Sequence, residues 1–147
     1  SWYDWQLYAR AADAPTANHP VFRIDFDGDT SVDANEEVEG DIVLAPNTWY
    51  HIAATYDGSQ MKIYIDGTLR GTTTVSGKIP NGGRDIWVGG NEPWGEFFDG
   101  VIDEVRVAKT VRDPSWMRTS YDNQNTPGNF MAFGPERRTP GSIMMIK

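Results

Sequence analysis

The residues best suited to chemistry in this chain are the acidic side chains of the segment DFDGDTSVDANE, at positions 25–36. Calcium binds six to eight oxygen atoms, and carboxylates that alternate along a tight turn can supply several of them. The spacing follows a twelve-residue calcium loop, although Thr30 stands where such loops place a glycine. The alternative is a solvated hairpin loop whose Asp and Gly serve only the turn. The predicted calcium ligands are Asp25, Asp27, Asp29, Asp33 and Glu36.

A second group of carboxylates alternates along one predicted strand, at Glu37, Glu39 and Asp41. Retaining glycosidases use two carboxylates about 5–5.5 Å apart as acid and nucleophile, so the spacing suggests a hydrolase. Gly40, however, lies among these acids, where such a motif has apolar residues, and no Trp stands beside them. The alternative is the hydrophilic outer face of an edge strand, which hinders aggregation.

Trp94 lies in the Gly/Pro-rich loop NEPWGE, where a large ring has no obvious place in a core. A flat indole offers apolar area to the C–H face of a sugar, so Trp94 is the best candidate for stacking on a glycan. Trp5, Trp49 and Trp87 are instead predicted in the core, and Trp116 is predicted to anchor a helix. The predicted carbohydrate-binding residues are Trp94, Asn91, Glu92, Phe98 and Trp2.

Composition and charge narrow the function classes further. The net charge of −8 argues against nucleic-acid binding, which requires clustered Lys and Arg, and no apolar run is long enough for membrane insertion. The chain has no cysteine, so a disulfide framework is excluded. His19 and His51 stand apart, and the sequence contains no Ser/His/Asp set, no paired zinc ligands and no phosphate-binding loop.

The scaffold for these candidates is best defined between Asn47 and Gly67, where apolar and polar residues alternate around Asp57-Gly58 and before Asp66-Gly67. Asp-Gly between alternating runs predicts a hairpin. Other strands are predicted over residues 1–10, 21–26, 37–44, 68–75, 86–88 and 97–107. Asp113-Pro114 predicts the start of a short helix that ends near residue 121. The fold class is therefore all-β, an antiparallel β-sandwich with one short helix near the C-terminus. We assign residues 1–134 to the sandwich and residues 135–147 to a linker or a further segment.

Two motifs resemble one known family. A strand with Trp49 and His51 precedes a strand that ends in Tyr64-Ile65-Asp66-Gly67, and a later segment reads GVIDEVRV at positions 100–107. This pattern resembles the laminin G-like domain of the concanavalin A-like lectin/glucanase superfamily, with a pentraxin-like hairpin. The resemblance implies a jelly-roll topology for the sandwich. Family members usually begin with further strands, so we expect a fragment of a longer polypeptide or a gap filled by strand addition.

Asp103 is a further candidate ligand. By strand alternation it shares an inward face with Val101 and Val105, and a buried carboxylate needs a partner. One interpretation is a structural Asp that accepts hydrogen bonds near the loop ends. The resemblance implies another, a calcium ligand near the rim of the sandwich.

Together these observations predict a non-catalytic, extracellular or cell-surface module that binds carbohydrate or mediates adhesion within a larger protein. Its expected partners are a glycan or a cell-surface molecule and further domains of the same polypeptide, with calcium as the expected cofactor. One alternative is a structural module that self-associates through sheet edges. A second alternative is a glycoside hydrolase or polysaccharide lyase on a jelly roll.

Overall fold

A computed structural model of the chain describes residues 4–11, 14–27, 33, 36–83, 85–91 and 95–130. The elements found within these ranges are, in chain order, β1 (Trp5–Ala9), β2 (Pro20–Ile24), β3 (Glu37–Glu39), β4 (Ile52–Tyr56), β5 (Gln60–Ile65), β6 (Thr68–Thr74), β7 (Gly90–Asn91), β8 (Glu96–Phe97), α1 (Pro114–Asn125) and α2 (Pro127–Phe130). None of the described helices combines the length and the apolarity that a bilayer crossing requires.

The first sheet is antiparallel, with β2 between β1 and β3. Phe22 pairs with Leu7 on one side and with Val38 on the other. All of β2 is buried, whereas alternation predicts only one buried face. The second face is covered because the Arg23 guanidinium lies over the Tyr8 ring and donates hydrogen bonds to the Tyr8 hydroxyl and to Glu37.

The second sheet is also antiparallel, with β5 between β4 and β6, which confirms the predicted hairpin. Asp66 and Gly67 join β5 to β6 with φ values of 51° and 71°, as a type I′ turn requires. The turn between β4 and β5 differs, since only Gly58 has a positive φ. There the Asp57 carboxylate accepts hydrogen bonds from the backbone N–H groups two and three residues later.

The core lies between these two sheets, which confirms the predicted antiparallel β-sandwich. Phe26 and Tyr56 extend it at one end, with ring centroids 5.3 Å apart. The sheets approach most closely where β3 meets β6, because Gly71 leaves room for the backbone of Glu39. The buried core side chains are Phe22, Ile24, Val38, Met61, Ile63, Ile65 and Val75.

The predicted strand over residues 97–107 is wrong beyond Phe97. Residues 98–113 form neither strand nor helix, and Val101 and Val105 are exposed. The predicted strand at residues 86–88 is also wrong, since these residues form no strand and the short strand β7 begins only at Gly90. Alternation defines a strand only where a neighbour supplies a hydrogen-bonded ladder and a core covers one face. Within the described ranges, residues 99–113 pair with no strand, and their large apolar side chains are exposed.

Several predicted core positions are also corrected. Trp49 and Trp87 are 68% and 53% exposed, because the segments that hold them lie outside the paired strands. Trp5 does pack against the core. Leu7 is exposed because it lies on the edge strand β1, and the strand predicted over residues 37–44 ends at Glu39.

Helix α1 begins where the sequence predicts it. The Asp113 carboxylate accepts a hydrogen bond of 2.8 Å from the N–H of Trp116, and Pro114 occupies the first turn. The helix runs to Asn125, one turn beyond the prediction. Met117, rather than Trp116, is its buried residue. The boundary predicted between residues 134 and 135 lies outside the described residues and stays a prediction.

Candidate functional site

The predicted carbohydrate-binding set falls largely on residues of which nothing is described. Phe98 is described and is exposed, together with Phe97, although alternation predicts that one of the two points inward. The side chain of Asn91 also lies outside the description. The remaining predicted ligand residues outside the described ranges are Trp2, Asp29, Glu92 and Trp94.

The acidic segment between β2 and β3 brings three of its predicted ligands together. One carboxylate oxygen each from Asp25, Asp27 and Glu36 lies within 4.8 Å of the other two. Strand pairing explains this, because Asp25 directly follows β2 and Glu36 directly precedes β3. Asp33 is exposed and contributes its carbonyl oxygen, which accepts a 2.9 Å hydrogen bond from the N–H of Glu36.

Two of these carboxylates are buried, unlike those of a solvated turn. Asp25 is 1% and Glu36 3% exposed, whereas Asp27 is exposed. Glu36 Oε1 accepts a 2.9 Å hydrogen bond from the backbone N–H of Phe26. Glu36 Oε2 is also buried and has no hydrogen-bond partner in the described part of the chain. Burying a carboxylate oxygen without a partner is costly, so this atom indicates a ligand.

The donor set defines which ligand this cluster suits. Carboxylates alone are hard oxygen ligands, which favour Ca²⁺, Mg²⁺ or Mn²⁺ over metals that prefer sulfur or imidazole. Calcium–oxygen distances of about 2.3–2.6 Å place ligand atoms on opposite sides of the ion about 5 Å apart. The separation of up to 4.8 Å among the three oxygens fits that span. The cluster of Asp25, Asp27 and Glu36 could therefore hold a metal ion.

The alternating acids of β3 have partners of a different kind. Arg10 forms ion pairs with both Glu37 and Glu39, and Thr16 donates a 2.8 Å hydrogen bond to Glu39. Burial by itself raises the pKa of Glu39, but the hydrogen bonds from Arg10 and Thr16 outweigh it, so the pKa lies below its ordinary value. Glu37 and Glu39 thus belong to a network that links β3 to Arg10 and Thr16, in the loop after β1. Asp41, the third acid of the pattern, is exposed and pairs with Arg70.

A cleft of about 390 Å³ lies on another part of the sandwich, where the residues before β4, the β5–β6 turn and helix α1 meet. Asp103 contributes to this cleft and is exposed, so the predicted inward orientation is wrong. The physical reason is that residues 98–113 are not paired in a sheet. The aromatic side chains of the cleft are Trp49, Tyr50 and Tyr121, and the polar ones are His51, Asp66, Asp103, Gln124 and Asn125.

Sequence reasoning missed this cleft. The sequence predicts Trp49 in the core and Asp66 only as a turn residue. It predicts no function for the end of α1. The cleft depends on how α1 packs against the β5–β6 turn, where a Cβ atom on Gly67 would lie 2.8 Å from the Cα of Arg118. No local pattern encodes that contact between a helix and a turn fifty residues earlier.

Comparisons with known proteins identify a family for this chain. No curated protein matches the chain. A solved structure, of an S-layer domain-containing protein from Clostridium thermocellum, is similar with 19% identity and a TM-score of 0.49. The match covers 72% of this chain and 52% of that one, so this chain spans about half the length of the solved protein.

A laminin G-type family model, described as concanavalin A-like lectin/glucanases superfamily, matches residues 5–118. With this match over most of its length and an antiparallel sandwich as its fold, the chain belongs to the concanavalin A-like lectin/glucanase superfamily.

Proposed function

We propose that this chain is a non-catalytic, calcium-binding module of an extracellular or cell-surface protein, with a role in carbohydrate binding or adhesion. The observation that supports calcium binding best is the buried Oε2 atom of Glu36, which no described residue satisfies. A divalent ion held by Asp25, Asp27 and Glu36 satisfies this atom. It also offsets the repulsion among three carboxylates that lie within 4.8 Å of one another.

Calcium is the ion we propose because it accepts irregular, oxygen-rich coordination, whereas Mg²⁺ demands a near-ideal octahedron. When bound, the ion ties the end of β2 to the start of β3. That role is structural, and strand ends held in this way are suited to supporting a binding surface. Loops carried by a rigid sandwich are the usual place for recognition.

The non-catalytic assignment is supported by the ion pairs of Glu37 and Glu39. Both carboxylates form ion pairs with Arg10, and the pKa of Glu39 lies below its ordinary value. A glycosidase of the retaining type needs one protonated acid as well as one ionised nucleophile. An acid with a lowered pKa that shares its arginine with the neighbouring acid is poorly suited to the role of the protonated acid.

Thermal unfolding with and without calcium tests the proposal. A ligand that binds only the folded state stabilises it by about 2.7 kcal/mol at a hundredfold excess over Kd, so the melting temperature of the unaltered chain should rise in calcium. Glu36→Gln should abolish that rise, because the amide keeps the acceptor for Phe26 but removes the charge. Glu104→Gln alters an exposed carboxylate paired with Arg106 and should respond to calcium like the unaltered chain.

The melting temperatures in EDTA distinguish a loss of metal binding from a general loss of stability. Without calcium, Glu36→Gln should be at least as stable as the unaltered chain, because it removes a buried charge next to Asp25. Identical melting temperatures of the unaltered chain in EDTA and in millimolar calcium would contradict calcium binding.

A second candidate function, self-association, is favoured by the exposed apolar side chains of residues 86–111. Single exposed apolar residues are ordinary, but a dense group in one segment marks an interaction surface. Light scattering behind size-exclusion chromatography should then show a dimer or larger species at high protein concentration, and Val105→Lys should shift it to monomer. A monomer at all concentrations excludes this candidate. The group comprises Ile86, Trp87, Val88, Phe97, Phe98, Val101, Ile102, Val105, Val107 and Val111.

A further inference from the structure

The cleft beside helix α1 combines an exposed aromatic ring with convergent polar groups. Trp49, at its rim, is 68% exposed although it lies only three residues before β4. A large apolar ring held in this way leaves area that a ligand can cover, and its position at a cleft gives that ligand an orientation. The cleft volume of about 390 Å³ falls in the range of small-ligand sites, which begins near 300 Å³.

The polar groups of the cleft keep hydrogen-bonding capacity after their internal bonds are counted. Asp66 uses Oδ1 to accept a 2.9 Å bond from the N–H of His51, and Asp103 uses Oδ1 to accept a 2.8 Å bond from the N–H of Glu104. A carboxylate has two oxygens with several acceptor positions, so both residues retain acceptors. The ring atom Nδ1 of His51 is buried and has no hydrogen-bond partner among the described residues.

The side-chain amides at the end of α1 supply the remaining polar groups of the cleft. Gln124 and Asn125 offer both donors and acceptors, and their one side-chain hydrogen bond among the described residues, from Gln124 Nε2 to Ser120 Oγ, is long at 3.4 Å. Burial lowers the pKa of His51, so the imidazole is neutral near pH 7 and offers one donor and one acceptor. The cleft therefore presents mixed donors and acceptors beside an aromatic face.

Charge and donor pattern select the ligand class. Asp66 and Asp103 disfavour an anionic ligand, and the amide donors of Gln124 and Asn125 are of no use to an ammonium group. Hydroxyl groups both donate and accept, and the C–H face of a pyranose matches an exposed indole. We propose that this cleft binds a neutral pyranose oligosaccharide, with Trp49 stacking on the ring and the carboxylates and amides hydrogen-bonding its hydroxyls.

This inference deepens the proposed function, because it supplies a carbohydrate site for the module, and it is independent of the calcium ligands. Isothermal titration of the 147-residue chain with cellotetraose, xylotetraose, mannotetraose and chitotetraose tests it. We expect binding of at least one of them and a loss of about tenfold or more in affinity for Trp49→Ala. Trp49→Phe should recover part of that affinity, and Gln124→Ala should weaken binding without altering the fold.

Trp87→Ala is the matched control, since Trp87 is similarly exposed but does not line the cleft, and it should bind like the unaltered chain. Binding that survives Trp49→Ala overturns the cleft assignment and leaves a carbohydrate-binding function in place. No binding of any neutral oligosaccharide overturns the cleft assignment as well, while the calcium experiment still decides the proposed function. Binding of N-acetyl-lysine methylamide instead of sugars overturns it in favour of a cationic ligand.

Discussion

His51 and Asp66 hold each other through two hydrogen bonds of 2.9 Å. The backbone N–H of His51 donates to Asp66 Oδ1, and the backbone N–H of Asp66 donates to the carbonyl of His51. This reciprocal pair fixes the entry to β4 against the β5–β6 turn, one step before the ladder pair of Ile52 and Ile65. It also places the imidazole against Tyr121 of α1, at a ring distance of 6.3 Å.

The first prediction concerns the protonation of His51. Desolvation lowers its pKa below 6.5 and outweighs the nearby charge of Asp66, which raises it. Because the unfolded state then binds the proton more tightly, this residue's contribution to stability is complete above about pH 6.5 and is lost as pH falls through the lower, folded-state pKa. His51→Gln should therefore remove part of the fall in melting temperature below pH 6.5.

The chain has two histidines, so NMR titration can follow both imidazoles directly. One resonance, assigned to His51 by its disappearance in His51→Gln, should titrate below 6.5 in the folded protein. A midpoint at or above 6.5 for that resonance would rule out desolvation as the dominant effect on this side chain.

The second prediction concerns the contact between the two sheets at Gly71. A Cβ atom at this position would lie 2.2 Å from the carbonyl oxygen of Glu39, a backbone atom that cannot move aside alone. Gly71→Ala should destabilise the fold by about 1–3 kcal/mol or more, as overpacking does, measured by urea unfolding. The control is Gly128→Ala, where nothing lies within 4 Å and the effect should stay within about 0.5 kcal/mol. Equal effects of the two substitutions would contradict the close approach.

The third prediction concerns Arg10, which bridges two partly buried carboxylates. Arg10→Met keeps much of the apolar stem but removes the cation that Glu37 and Glu39 share, so the free energy of unfolding should fall by about 1–3 kcal/mol. Arg106→Met removes an exposed pair with Glu104 and should cost no more than about 1 kcal/mol.

A comparison of the two arginine variants in urea distinguishes a structural network from ordinary surface pairs. If Arg10→Met is as mild as Arg106→Met, the acids of β3 do not depend on Arg10. Their assignment as structural residues, and with it the support for a non-catalytic module, would then fail.

The fourth prediction concerns the start of α1. Asp113→Ala removes the acceptor of the Trp116 N–H and should destabilise the protein by about 1 kcal/mol. Asp113→Asn keeps a capping oxygen and should remain close to the unaltered chain in thermal unfolding. Equal losses in the two variants would show that the negative charge, rather than the hydrogen bond, matters at this position.

Local signals in the sequence were sufficient for the elements whose geometry depends on neighbouring residues. The Asp66-Gly67 turn requires only two adjacent residues that tolerate positive φ. The cap formed by Asp113 and Pro114 requires only contacts within the first turn of the helix that it starts. The alternation of Ile52, Met61, Ile63 and Ile65 likewise predicts one apolar face, and that face is the one that packs into the core. The acidic spacing of residues 25–36 predicts five candidate metal ligands, and the structure brings three of them together, Asp25, Asp27 and Glu36.

Alternation alone gave a wrong prediction where the described part of the chain offers no partner strand. Residues 99–113 carry an alternating pattern but form no ladder with any described strand, and Asp103 and the neighbouring valines are exposed. The prediction that Trp49 lies in the core is wrong for a related reason. Trp49 precedes β4 and so lies outside the paired strands of the hairpin. A pattern states which face is apolar, whereas burial requires a second surface to cover that face.

The sequence by itself therefore determined the hairpins, the helix cap, the apolar faces of the sandwich and the acidic residues that could bind a cation. Tertiary structure decided that Glu36 is buried with an oxygen that no described residue satisfies while Asp33 faces solvent, and that Arg10 pairs with Glu37 and Glu39. It also decided that Trp49 meets the end of α1 across a cleft. The physical reason is that turns and caps are satisfied by atoms a few residues away, whereas burial and ion pairing depend on segments that meet only after the chain has folded.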